Sequence, residues 1–433
     1  MKIIARVFDR YGSKGQVEKP YAEFAAHYSN NYAMPVVNVV LKCVLEPYVH
    51  RRFVSERVLH LAITHLADGI GRAQIWRIVK PHLQEFIQAV IFPLMSYTAE
   101  DEELWEEDPE EYLRLRYDIF EGLPYSPFSP YPHPPPRFLN AFLLVDLHDP
   151  GMAASELLAA MSRRVGVLMP TLEFALSKLT TRDASPQDVD GALHIISRLS
   201  TPLNKNKRFK KDVQNLLDAH VIPRIAHPAR LVRARACLVA KCYSDALFTS
   251  TAILSRLVAA LVERLTNAGE EMPVKVEAAT AIAALLTDQR EKTLAMIRAH
   301  TRDILMEVLR LLARTQIEEL PQVVETIIDN FEEDVIPVAF DVTNELVNIF
   351  NRLTGVQNPN VVANEDDGLP ELSDDTTITV MGVLQTMERI LCLVEDHPDI
   401  MRNVEPVVRA CVINIFENFC SSELDFLTAS LHF

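Results

Sequence analysis

Val189-Asp190-Gly191-Ala192-Leu193, Val232-Arg233-Ala234-Arg235-Ala236 and Val274-Lys275-Val276-Glu277-Ala278-Ala279 are three versions of one segment, and their first residues stand 43 and then 42 positions apart. Each opens a helix-like run with small residues on one side, and each comes with a proline at its start: Pro186, Pro228 and Pro273. Proline is tolerated in the first turn of a helix and excluded from its interior, so it marks where a helix begins. A segment that recurs at a fixed period in the forties means one supersecondary unit, repeated. Such a unit cannot bury its apolar face alone and must stack on its neighbours.

Paired helices at this period are the mark of HEAT and armadillo arrays. The chain is therefore expected to be all-α: an α-α superhelix (HEAT/armadillo-like solenoid) with a Pro-rich irregular insertion. The usual work of a solenoid is to bind other macromolecules. The expected organisation is helical repeats over 1–120 with an acidic segment at 100–111, the Pro-rich insertion at 121–150, repeats over 151–350, a disordered acidic loop at 351–377, and truncated repeats over 378–433. The three phased segments cover about 170–300, and helices are also expected at 36–48, 54–66, 81–93, 378–395 and 404–419.

Composition narrows the function classes. Twelve glycines in 433 residues is under half the usual share of about 7%, which leaves little material for phosphate loops. No GxGxxG, GxxxxGK[ST] or GxSxG is present. Net charge is −16, which argues against a general nucleic-acid binder and favours basic proteins as partners; simple solubility is the plainer alternative. The six cysteines form no CxxC pair, no secretory leader opens the chain, and no run of 18 apolar residues exists to span a membrane. A reducing compartment is expected. The 13 histidines form no HxxxH or HExxH pattern, so His60, His65, His220 and His227 are expected to be structural, with no metal, no cofactor and no catalysis.

Three stretches break the pattern. Residues 100–111 hold nine acidic side chains in twelve, interrupted by Leu104, Trp105 and Pro109. They read either as a solvated loop anchored by Trp105 or as an acidic contact for a basic partner. Residues 124–136 hold seven prolines and cannot be helical. Residues 205–211, Lys-Asn-Lys-Arg-Phe-Lys-Lys, carry five positive charges in seven, which suits an exposed turn, a localisation signal or a phosphate-contacting patch.

Residues 88–98 (Gln-Ala-Val-Ile-Phe-Pro-Leu-Met-Ser-Tyr-Thr), running into Asp101-Glu102-Glu103-Leu104-Trp105-Glu106-Glu107-Asp108-Pro109-Glu110-Glu111-Tyr112, resemble nuclear import receptors of the karyopherin-β (importin-β) family, in its importin-7/importin-8 branch. Residues 5–13, 190–194, 233–237, 271–279 and 394–397 match in the same order, so the likeness covers most of 3–120 and 170–420. The resemblance implies a HEAT-repeat receptor that carries basic cargo such as ribosomal proteins and histones through nuclear pores. It implies contacts with nucleoporins, release of cargo by Ran-GTP, and residence in cytoplasm and nucleus and at the nuclear envelope. The candidate cargo-binding residues are Glu100, Asp101, Glu102, Glu103, Trp105, Glu106, Glu107 and Asp108, with Glu365, Asp366, Asp367, Asp374 and Asp375 in a loop that matches an acidic insertion of the family. Family members are longer, with their N-terminal Ran-binding repeats upstream of Met1, so Ran binding is doubtful for this chain, a central-arch contact aside. Residues 122–150 do not resemble the family, and a mispredicted exon or retained intron is expected there. The alternative is a HEAT-repeat scaffold of a multi-subunit complex without transport activity.

Overall fold

A computed structural model describes residues 1–11, 17–113, 115, 149–315, 317, 319–354 and 374–418. Most of the Pro-rich insertion, together with Glu365, Asp366 and Asp367, therefore lies outside the described residues. Among the described residues every regular element is helical. They fall into two compact units: Met1–Glu103 with Asp118–Val213, and Leu104–Tyr117 with Gln214–Phe433.

In the first unit, α1 (Lys2–Tyr11), α2 (Ala22–Asn31) and α3 (Ala33–Val40) precede α4 (Glu56–Gly69). After α5 (Phe92–Met95) comes α6 (Ala99–Glu107), inside which the boundary between the units falls. The unit resumes with α7 (Pro150–Ser162), α8 (Leu168–Thr180), α9 (Pro186–Arg198) and α10 (Ser200–Lys205). Helix α7 packs its Ala153, Ala154, Leu157, Leu158 and Met161 against α4 and α5. Its start is fixed by Asp149, whose carboxylate accepts the N–H groups of Gly151 and Met152, with Pro150 at the first helical position.

Helix α9 carries the first of the three repeated segments. A Cβ at Gly191 would stand 2.1 Å from Ser96 Oγ and 3.0 Å from Phe92 Cε2, so glycine is what lets α9 lie on α5. One position earlier, the carboxylate of Asp190 accepts the Tyr97 N–H at 3.0 Å, in a setting where Asp190 is 1% exposed.

The second unit stacks helix pairs. Helices α11 (Arg230–Cys242), α13 (Met272–Asp288), α15 (Glu319–Asn330) and α17 (Asp374–Val394) form one row in which each packs on the next. Beside them lie α12 (Thr251–Thr266), α14 (Thr301–Leu312) and α16 (Ala339–Leu353), and α18 (Pro398–Asn418) packs on α16. The second and third repeated segments open α11 and α13. Pro273 lies inside the first turn of α13, and Pro228 in the bend just before α11.

Helix α13 is buried on every side from Met272 to Leu286. Burial on every side marks an interior position, even with Lys275 and Glu277 in the helix, and Ala278, Ala279, Ala281, Ala283 and Ala284 are small enough to let neighbouring helices approach.

Three helices widen into short π-helical turns, Leu41–Leu45, Phe86–Ile91 and Leu217–Val221, and each is followed by a proline two residues on: Pro47, Pro93 and Pro223. A proline inside a helix clashes with the carbonyl four residues back. Those carbonyls, of Cys43, Ala89 and Ala219, all fall inside the widened turns, which relieves the clash. Helices expected to run unbroken through 36–48 and 81–93 are therefore bulged.

Residues 351–353 and 374–377, the two ends of the expected acidic loop over 351–377, are helical. Helix α16 runs to Leu353, held at its end by Arg352 Nη1 donating to the Ala313 carbonyl at 2.6 Å. Helix α17 already includes Asp374 and Asp375.

Candidate functional site: the acidic helix and its anchor

Residues 100–107 are helical, not a loop. Thr98 Oγ1 accepts the Asp101 N–H at 3.2 Å, and Asp101 Oδ2 accepts the Thr98 N–H at 2.7 Å. This reciprocal capping box satisfies two otherwise orphan donors. The acidic residues of the first turn, Glu100, Asp101 and Glu102, also meet the positive end of the helix dipole. Asp108 then stops α6 and starts the next turn, its Oδ1 accepting the Glu111 N–H at 2.9 Å ahead of Pro109. Glu100, Glu102, Glu103, Glu107 and Asp108 are exposed and Asp101 is half-buried.

Trp105 lies on the opposite face of the same helix and is 2% exposed. Its Nε1–H donates to Glu271 Oε2 at 2.5 Å, its ring meets that of Tyr112 with centroids 4.8 Å apart, and the Arg230 guanidinium stands 6.0 Å from its centroid. Arg230 Nη2 also reaches Glu106 Oε1 at 2.5 Å. Of the expected contact residues, Trp105 and Glu106 are thus engaged within the second unit itself. Asp374 and Asp375 open α17, apart in sequence from α6.

Behind Glu271 is a charged hub that sequence reading missed. The Glu270 carboxylate, 2% exposed, accepts from Arg233 Nη2 at 2.7 Å and from Arg264 Nη1 at 3.0 Å. The Glu271 N–H adds a third donor at 3.0 Å. Arg233 spends its remaining Nη1 donor on the His227 and Pro228 carbonyls at 3.0 and 2.9 Å. In the next repeat Lys275 takes the place of Arg233, with its Nζ 2.5 Å from Glu307 Oε1. Lys275 and Arg310 together hold the Glu307 carboxyl below its usual range, against the opposing pull of its burial. A legible signal existed: Arg233 and Lys275 stand at the same step of consecutive segments. Their acidic partners lie in other elements, so local pattern could not pair them.

Beside this hub is a groove of about 340 Å³, lined by Glu270, Lys275, Glu307, Arg310, Arg314 and Arg352 among others. Its cations and anions are interleaved and largely paired. Among the described residues no group of three His, Cys, Asp or Glu side chains is placed to hold a metal ion, and no single helix is long and apolar enough to cross a membrane. His60 Nδ1 lies 2.8 Å from the Asp149 carbonyl and His227 Nδ1 accepts the Ala229 N–H at 3.1 Å. Cys237 and Cys411 are buried, Cys242 is half-buried, and Cys43 and Cys392 are exposed.

The fold is that of a HEAT-repeat solenoid. A solved structure of a Kap95:Nup1 complex aligns over 94% of this chain and 47% of its own, with a TM-score of 0.52 at 13% identity. In sequence the chain is 34% identical over 408 residues to importin-8 of Mus musculus, and 33% over 430 residues to importin-8 of Homo sapiens. Those alignments take in 94% and 97% of this chain but 37% and 38% of the relatives. An importin β-like SAD2 homolog of Arabidopsis thaliana is 25% identical over 412 residues. No family model matches. The chain is a homologue of importin-8 and spans somewhat over a third of the length of these relatives.

Proposed function

We propose that the chain acts as part of a nuclear transport receptor that carries basic proteins, of the ribosomal-protein and histone kind, from cytoplasm to nucleus. The observation that carries this reading is homology to importin-8 over nearly the whole chain. Net charge of −16 and the exposed carboxylates of α6 supply the complementary chemistry. Acidic surface attracts a basic cargo over long range and covers charge that would otherwise seek nucleic acid.

In this reading Glu100, Asp101, Glu102, Glu103, Glu107 and Asp108 are contact residues, joined by Glu106 when Arg230 releases it. Trp105 is the positioning residue that holds their helix to the repeat array. Glu365, Asp366, Asp367, Asp374 and Asp375 supply a second acidic contact. Nucleoporins carry the receptor through the pore, and the protein moves between cytoplasm and nucleus with a rim at the nuclear envelope; any release of cargo by Ran-GTP would run through a central-arch contact.

The test is capture of a histone tail or a basic ribosomal protein by the purified chain, with Ran-GTP as competitor. Salt-sensitive capture is expected, and release by Ran-GTP would add the central-arch contact. Capture of neither the basic probe nor Ran-GTP overturns the proposal.

A further inference from the structure

The basic stretch at 205–211 is absorbed by none of this. Helix α10 ends at Lys205, and the chain then makes a compact turn before Val213. Asn206 organises it: its Oδ1 accepts the Arg208 N–H at 3.0 Å, and its carbonyl accepts those of Phe209 and Lys210 at 3.1 and 2.9 Å. The Phe209 carbonyl in turn accepts the Asp212 and Val213 N–H groups at 2.8 and 3.2 Å. The backbone is therefore pinned, and it holds five cationic side chains close together.

Lys205, Lys207, Arg208, Lys210 and Lys211 are all exposed. Among the described residues none of them forms an ion pair, whereas Arg230, Arg233, Arg264 and Lys275 all do. Concentrating like charge on a fixed turn costs self-repulsion. In a chain of net charge −16 that density is a local reversal of sign, and an external anion relieves it.

Three observations select the anion. Lysines dominate, and as point charges on flexible stems they suit a string of carboxylates of no fixed geometry. The one arginine, Arg208, lies over its own neighbour Phe209 at 5.4 Å from the ring centroid. Phe209 is half-buried and offers no open platform for stacking bases. A long nucleic acid would also meet the negative field of the rest of the chain. We infer that the turn at residues 205–211 is a docking surface for a short Asp/Glu-rich peptide segment of a partner protein. It is opposite in sign to the cargo contact proposed above and independent of it.

The experiment titrates a labelled Asp/Glu peptide of about twelve residues into the full chain and into a Lys207→Ser, Arg208→Ser, Lys210→Ser, Lys211→Ser variant. Loss of four exposed charge contacts should weaken binding roughly tenfold and flatten its salt dependence. A variant with Lys207→Arg, Lys210→Arg and Lys211→Arg, which keeps the charge, should bind as the parent does. Histone-tail capture should be unchanged in both, which separates this site from the cargo reading. Equal peptide affinity in the Ser variant overturns the inference. So does tighter binding at the turn by a single-stranded oligonucleotide of matched charge, or self-association of the chain that the Ser variant abolishes.

Discussion

The indole N–H of Trp105 donates to the carboxylate of Glu271 at 2.5 Å, across 166 residues of sequence. One tryptophan thereby ties the acidic helix to the repeat that begins with Met272. Trp105→Ala removes a nearly fully buried ring and should destabilise the second unit by about 3–5 kcal/mol. Trp105→Phe keeps most of the packing and should lose about 1 kcal/mol, since Glu271 is open enough to bind water in place of the indole. Urea unfolding of the two variants measures both, and equal losses would contradict the anchoring role of the ring.

Glu270 stands between Arg233 and Arg264, each with its side chain mostly buried. Removing one partner of a buried ionic group leaves charge stranded, which is far worse than removing the group together. Glu270→Ala should destabilise by about 3–5 kcal/mol. The triple change Glu270→Leu, Arg233→Met, Arg264→Met should recover much of that loss. A double-mutant cycle that shows simple additivity would remove the hub from the account.

His65 is 0% exposed, with Phe8 packed on its ring at 4.3 Å between centroids. Burial, helped by the positive charge of Arg72, lowers its pKa from 6.5 to about 4. Between those values the unfolded chain binds the proton and the folded chain does not, so stability falls as pH drops from about 6.5 toward 4. The loss is on the order of 3 kcal/mol when complete. His65→Leu should remove this part of the pH dependence, which chemical denaturation at pH 7, 5.5 and 4.5 would read; an unchanged profile counts against the buried neutral imidazole.

At Gly191 two effects oppose each other. Alanine is the better helix former by about 1 kcal/mol, but its Cβ would meet Ser96 Oγ at 2.1 Å. Overpacking of this kind costs about 1–3 kcal/mol, so Gly191→Ala should be net destabilising. Adding Ser96→Ala removes the nearer clash and should recover part of the loss. A more stable single variant would show that α9 can shift away from α5 at little cost.

Replacing Glu100, Glu102, Glu103 and Glu107 by Ser should weaken capture of a histone tail roughly tenfold at low salt and less at high salt. These side chains are exposed, so the melting temperature should stay within a degree or two of the parent. Unchanged capture, measured by fluorescence anisotropy, would leave α6 as a solvated face.

The all-α repeat was legible in the chain itself because its determinants are local. Val189, Val232 and Val274 recur at nearly constant spacing, prolines stand at the helix entries, and alanine-rich faces announce close packing. Even the proline-linked π turns follow from Pro47, Pro93 and Pro223 acting on carbonyls four residues away. The helical state of residues 99–107 was readable too, through Thr98 and Asp101, yet a dense run of carboxylates masked that cap.

The pairings of Trp105 with Glu271, Arg233 with Glu270, and Lys275 with Glu307 belong to the tertiary structure alone. Each joins side chains from different elements, brought together when repeats stack and water is driven from between them. Hydrophobic periodicity tells a helix which face to bury. Which charge will stand opposite that face is set by the rise and rotation from one repeat to the next, and that exists only once the array is folded.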